Sequence, residues 1–163
     1  MARVLVVGCG CRGGELAIAL LERGYAVRGT SRRRVRLGEI EALGAEPALA
    51  DPDRLATLLP NLEGVSALCW LMANATGEPE AVAALHEVRL EALAESLVDT
   101  HVRGLVYEAA GTADPAALAR GAEIATAAQA AHRMPVALIE TPPADHAGWL
   151  ADAVRAVDEV LAA

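Results

Sequence analysis

VLVVGCGCRGGELAIALLERGYAVRGTSRRR, residues Val4–Arg34, decides how this chain is read. Val4-Leu5-Val6-Val7 is a short apolar run of β type. Gly8-Cys9-Gly10-Cys11-Arg12-Gly13 follows as G-x-G-x-x-G. Leu16, Ala17, Leu20 and Leu21 then recur at helical spacing up to Gly24, and Tyr25–Gly29 is a second β-type run ending in Thr30-Ser31-Arg32-Arg33. Glycine makes such a turn cheaply and lets a backbone approach a pyrophosphate, while the following helix aims its N–H groups at that anion. Alone, the six-residue motif says little. Between a buried strand and a helix, about twenty residues ahead of the end of the next strand, it predicts a dinucleotide cradle formed by Gly8, Gly10, Cys11, Arg12 and Gly13.

Outward from that unit the same alternation continues. Helical patterns are predicted over Arg32–Leu43, Arg54–Leu59, Pro79–Val98, Pro115–Arg133 and Asp145–Leu161. β-Type runs are predicted at Glu46–Ala50, Val65–Leu71, Gly104–Glu108 and Pro135–Glu140. Asp53 and Asp114 read as helix N-caps, and Pro60 reads as a stop. Six β-type runs alternating with six helical ones, with neither repeats nor linkers, predict one α/β domain over residues 1–163. Its core would be a doubly wound six-stranded parallel sheet of Rossmann type, order 3-2-1-4-5-6, with helices on both faces.

Composition agrees. Hydrophobic residues reach 54% with aromatics at only 2%, so Ala, Leu and Val must build the core, as suits strands covered on both faces. A net charge of −8 argues against nucleic acid or anionic membrane as partner. No apolar run approaches the roughly 18 residues of a membrane span. Met1-Ala2-Arg3 leads straight into a strand without a signal-peptide layout, so a cytoplasmic protein is expected. Cys9, Cys11 and Cys69 have neither a metal-ligand spacing nor a paired framework.

The end of the second strand bears on the choice of dinucleotide. An NAD site places Asp or Glu there to accept the ribose 2′-OH. Here Thr30, Ser31, Arg32 and Arg33 stand in that place, hydroxyls and guanidinium forks suited to a 2′-phosphate. NADP is therefore expected over NAD. The alternative is a solvated basic helix start, which the helix dipole disfavours unless an anion sits there. Asp51 would meet the adenine or simply begin the next turn, and Ala73-Asn74 lies where the backbone would pass the cofactor. Cys9 and Cys11 read as small residues in a tight loop, with Cys11 alternatively a redox-sensitive thiol at a helix N-terminus.

VLVVGCGCRGGELA (Val4–Ala17) followed by YAVRGTSRR (Tyr25–Arg33) resembles the atypical, NAD(P)-binding branch of the short-chain dehydrogenase/reductase superfamily, the epimerase/dehydratase-like proteins. Members often show a GCGxxG loop and a second strand ending in Thr/Ser-Arg. The resemblance is good over about residues 3–51 and looser at 64–71, 104–111 and 135–140. It implies a Rossmann fold, an NADP-type cofactor, and a homodimer through the helices at 79–98 and 115–133. Two departures weigh against carrying over the activity. Catalytic members use Tyr-x-x-x-Lys, yet every one of the fourteen basic residues here is arginine, and Tyr107 is followed four residues later by Gly111. Relatives also continue past strand six into a substrate lobe, whereas this sequence ends at Ala163.

Weaker candidates for chemistry stand at the carboxyl ends of later strands, with Thr112, Glu140 and Thr141 among the polar groups there. Glu108 could act as acid or base beside a nicotinamide, or be a hydrogen-bonded strand terminus. His146 could face the same crevice, or be solvated behind an Asp145 cap. His86, His101 and His132 receive no role, and Trp70 and Trp149 are expected in the core or an interface. Three readings remain: an NADP-binding sensor or regulatory subunit with little or no catalysis and an unknown substrate, an NADP-dependent oxidoreductase or epimerase with an unusual acid/base, or a Rossmann-shaped interaction module that binds no nucleotide. Arg12 and Glu15, near the phosphate position, favour the third, although Arg12 could equally clamp a pyrophosphate.

Overall fold

The computed structural model describes residues 1–163. Its centre is β1 (Arg3–Val7), a strand buried on both faces because its four apolar residues alternate. Val4 and Val6 turn to one side of the sheet, and Leu5 and Val7 to the other. The remaining strands are β2 (Ala26–Ser31), β3 (Glu46–Leu49), β4 (Ala67–Trp70), β5 (Gly104–Glu108) and β6 (Val136–Ile139). They form one sheet of order β3-β2-β1-β4-β5-β6 with every pairing parallel, as the alternation predicts.

Two helices close the first face. α1 (Cys11–Glu22) buries Leu16, Ala17 and Leu20, and α7 (His146–Ala162) buries Trp149, Ala153, Ala156 and Val157. Each fully buried Leu contributes about 1.5–3 kcal/mol of transfer free energy. On the second face lie α3 (Leu55–Leu58), α4 (Pro79–His86), α5 (Val88–Leu97) and α6 (Pro115–His132), with Leu90, Leu93, Leu97 and Ile124 reaching inward. α2 (Leu37–Ala42) packs beside β2 and β3, contributing Ile40 to the first face's core. Asp145 caps α7 as expected, its Oδ1 accepting from the Gly148 amide at 3.1 Å. Both tryptophans are core residues.

Several boundaries differ from the sequence expectation, each for a local reason. α1 begins at Cys11, inside the glycine motif and ahead of its apolar spacing, because the Gly14 amide already donates to the Gly10 carbonyl at 2.7 Å. The second helix does not start at Arg32: Arg33 is extended with its N–H bonded to Ser31 Oγ, Arg34–Arg36 make a 3₁₀ turn, and α2 starts only at Leu37. The arginines thus precede the helix, which removes the helix-dipole argument for an anion there. Asp53 makes no cap. Instead Asp51 Oδ1 accepts from the Asp53 amide at 2.9 Å, and Pro60 does not stop the chain but lies in a 3₁₀ turn over Leu59–Leu62. The long helix expected over 79–98 breaks at Glu87 (φ −120°, ψ −97°), where the Leu85 carbonyl accepts the Trp70 indole N–H at 3.0 Å.

Candidate nucleotide-binding site

The glycine turn is built from three glycines with three different reasons to be glycine. Gly8 adopts φ +92°, and a Cβ there would lie 2.6 Å from the Leu71 carbonyl oxygen. A Cβ on Gly13 would lie 2.4 Å from the Gly8 carbonyl oxygen, so α1 can approach β1 this closely only without one. At Gly10 a Cβ would meet no protein atom within 4 Å. It would project into open space above the turn, where a bound group could rest against the backbone. The Cys9 amide donates to the Thr30 carbonyl at 3.2 Å and ties this turn to the end of β2.

Two hollows meet over it. One, of about 570 Å³, runs from Gly8–Gly10 past Thr30 and Ser31 to Arg32, Arg33 and Arg36, with Ala50, Pro52 and Asp53 beyond β3 and Val82 and Leu85 of α4 as its far wall. The second, of about 360 Å³, is lined by Cys11, Arg12, Gly13, Leu71, Glu108 and Trp149. They share Gly8, Gly10, Met72, Asn74 and Ala75, so they form one continuous channel across the turn. Both sit at the carboxyl ends of the strands, where the order reverses between β1 and β4.

The electrostatics of this channel favour an anion. Arg32, Arg33 and Arg36 border the larger hollow, Arg36 also pairing with Glu39 at 2.9 Å. In the smaller one the Arg12 guanidinium lies 5.7 Å from the centre of the Trp149 ring. Arg12 Nε and Asn74 Nδ2 are buried donors without an acceptor, and both residues line the smaller hollow. Gly8 and Gly13 as close-packed glycines, Gly10 opening into space, and the Arg12 charge bordering the hollow together fit a phosphate-bearing group.

Gly8, Gly10, Cys11, Arg12, Gly13, Thr30, Ser31, Arg32 and Arg33 all border this channel. Asp51 does not: its side chain and amide hold the next turn through Asp53 and Thr57, and Asp53, paired with Arg89 at 3.7 Å, faces the hollow in its place. Ala73 is fully buried behind the channel, and its neighbours Met72 and Asn74 form the lining. Cys9 is a buried small residue whose thiol burial pushes up to about 11, and Cys11 is exposed at the start of α1.

The two acid/base candidates are both committed elsewhere. Glu108 is buried, with Oε1 accepting from the Ala73 amide at 3.0 Å and Oε2 from the Trp149 indole at 2.9 Å. Burial raises its carboxyl above the usual range, against those two bonds and the Arg12 charge. His146 is largely exposed, pairs with Glu15 of α1 at 2.6 Å, and borders neither hollow.

A buried pair that sequence reasoning passed over braces the channel from behind. His86 Nδ1 lies 2.7 Å from the Tyr107 hydroxyl, and His86 Nε2 lies 3.1 Å from the Met72 carbonyl oxygen. Residues 86 and 107 carry no shared motif, so only the packing of α4 on β5 reveals them.

No protein-family model matches the chain, and no curated protein sequence is similar to it. Solved structures do match. UDP-glucuronic acid 4-epimerase from Bacillus cereus, in complex with NAD, superposes with a TM-score of 0.68 at 16% identity over 83% of this chain and 54% of its own. A short-chain dehydrogenase/reductase superfamily protein from Agrobacterium tumefaciens with bound NAD gives 0.68 at 19%, over 83% and 48%. UDP-glucose 4-epimerase from Thermotoga maritima gives 0.70 at 14%, over 83% and 54%. At such identities the likeness is one of fold, and the fold is that of short-chain dehydrogenase and epimerase structures. The chain spans about half the length of these proteins.

Proposed function

We propose that the chain binds NADP(H) through the channel over Gly8–Gly13 and has no acid/base machinery of its own, acting as a cofactor sensor or regulatory subunit. One observation carries the choice of NADP: Arg32, Arg33 and Arg36 converge with Ser31 on one hollow at the end of β2, with no carboxylate ending that strand. Guanidinium groups and a hydroxyl hold a 2′-phosphate, whereas the NAD arrangement needs an acceptor for a 2′-OH. The phosphates would be met by the backbone N–H groups at the start of α1, with the Arg12 side chain bordering the same hollow.

Bound NADPH would supply a hydride. Against catalysis stand the absent Tyr-x-x-x-Lys pair, the two occupied oxygens of Glu108 and the pairing of His146 with Glu15 outside both hollows. The fold likeness to NAD-bound epimerases supports a dinucleotide of either kind and leaves the 2′-phosphate to be tested.

The test is calorimetric titration of NADPH and NADH into the natural chain and the Arg32→Ala/Arg33→Ala variant. NADPH should bind tighter than NADH, and the variant should weaken NADPH by about tenfold or more, corresponding to about 1.4 kcal/mol, with NADH changed far less. Equal losses, or tighter binding of NADH, would refute the 2′-phosphate contact. Binding of neither would overturn the nucleotide reading itself.

A further inference from the structure

The channel stops at a wall. Beyond Glu108 and Trp149, over the ends of β5 and β6, lies a third hollow of about 630 Å³, bounded by Ala109–Thr112, Leu138, Glu140 and Pro142–Ala144. It shares no lining residue with either hollow over the glycine turn.

Three layers of contact make the separation. The loops that follow β4 and β5 are bonded together: the Ala113 amide donates to the Ala73 carbonyl at 2.9 Å, and the Thr112 amide to Asn74 Oδ1 at 3.0 Å. Gly111 packs so closely on Ala73 that a Cβ would stand 2.4 Å from its carbonyl oxygen. Behind them Glu108 joins the Ala73 amide to the Trp149 indole, fastening β4, β5 and α7 at one buried point. Opening a path would break charge-assisted and backbone hydrogen bonds in a buried place, where unpaired groups are costly.

From this we infer that the site takes the phosphorylated adenosine end of its ligand and gives no pocket to the nicotinamide. The inference rests on the NADP reading above and narrows its ligand class to adenosine 2′-phosphates carrying a 5′-diphosphate. The larger hollow takes the nucleoside with its 2′-phosphate. The smaller one takes the 5′-diphosphate, beside the Arg12 side chain and the backbone N–H groups at the start of α1. The ribose and ring beyond the second phosphate are turned back by the Glu108–Trp149 wall and lie in water. A protein built this way reads the level of 2′-phosphorylated nucleotide without discriminating the redox state of the ring.

The test compares NADPH, NADP⁺ and 2′-phospho-ADP-ribose, which lacks only the nicotinamide, by calorimetry on the natural chain. All three should bind with dissociation constants within about threefold of one another, because removing a group that makes no contact removes no binding free energy. NADPH fluorescence should show neither the enhancement nor the blue shift of a ring held in an apolar pocket. A larger advantage for NADPH or NADP⁺ over 2′-phospho-ADP-ribose, or enhanced emission, overturns the inference while leaving NADP binding intact. If none of the three binds, the nucleotide reading falls first.

Discussion

Replacing Tyr107 by Phe tests the buried brace behind the channel. His86 and Tyr107 are both completely buried, and the two ring nitrogens of His86 face the Tyr107 hydroxyl at 2.7 Å and the Met72 carbonyl oxygen at 3.1 Å. A carbonyl can only accept, so Nε2 carries the proton and donates to Met72. Nδ1 then has to accept, and the Tyr107 hydroxyl donates to it. Tyr107→Phe leaves Nδ1 as a buried acceptor with no donor, which costs about 1–3 kcal/mol. For a chain of this length each kcal/mol lowers Tm by roughly 2–4 °C, so Tm should fall by roughly 2–12 °C, measured by circular dichroism alongside a urea titration. The His86→Leu/Tyr107→Phe double variant removes donor and acceptor together. It should be more stable than the summed single losses imply by about 1 kcal/mol. Burial lowers the His86 imidazole below its ordinary value of about 6.5, against the Met72 carbonyl and Glu87. The unfolded chain therefore takes up the proton first, and this share of stability is present above about pH 6.5 and is lost as pH falls below it. His86→Gln should remove that share of the acid sensitivity. A loss below about 0.5 kcal/mol in Tyr107→Phe, or additivity in the double variant, would refute the His86–Tyr107 hydrogen bond.

Two further outcomes can be checked on the same protein. Burial raises Cys9 to about 11 and Cys69 to about 12, while Cys11 is exposed at the lip of the channel. A disulfide reagent at about pH 8 should thus label one thiol rapidly in the folded chain and three only after unfolding, and NADPH should slow the rapid one. Labelling of two thiols in the folded chain, or no protection, would count against this placement. Gly10→Ala should leave Tm of the ligand-free chain within roughly 2 °C, since its Cβ meets no protein atom within 4 Å, yet weaken NADPH by about tenfold by occupying the space over the turn. Unchanged binding would place the phosphates elsewhere.

The features legible in the chain were those that repeat with the period of a strand or helix or depend on the chemistry of one turn. Val4–Val7, the glycine turn and the alternation of runs led to the parallel sheet and its order, because a buried parallel strand needs apolar residues on both faces and right-handed crossovers leave few arrangements. Thr30–Arg33 was legible as a basic strand end for the same local reason. Contacts between residues far apart in sequence were not legible. Glu108 reads either as an acid/base or as a hydrogen-bonded strand terminus, and its partners are named only when β4 and α7 bring the Ala73 amide and Trp149 indole to its two oxygens. Asp51 reads equally as a residue facing the adenine or as the start of the next turn, and only the folded chain, with its side chain on the Asp53 amide, decides for the turn. His86 and Tyr107 say nothing until α4 breaks at Glu87 and lays one on the other. The start of α2 moved from Arg32 to Leu37 because Ser31 Oγ held the Arg33 amide in an extended conformation. Local spacing dictates elements and the glycine cradle, since both depend on neighbours within a few residues. Which donors remain unpaired, and where the channel ends, depend on side chains up to 41 positions apart meeting in a water-poor interior, and folding alone brings them there.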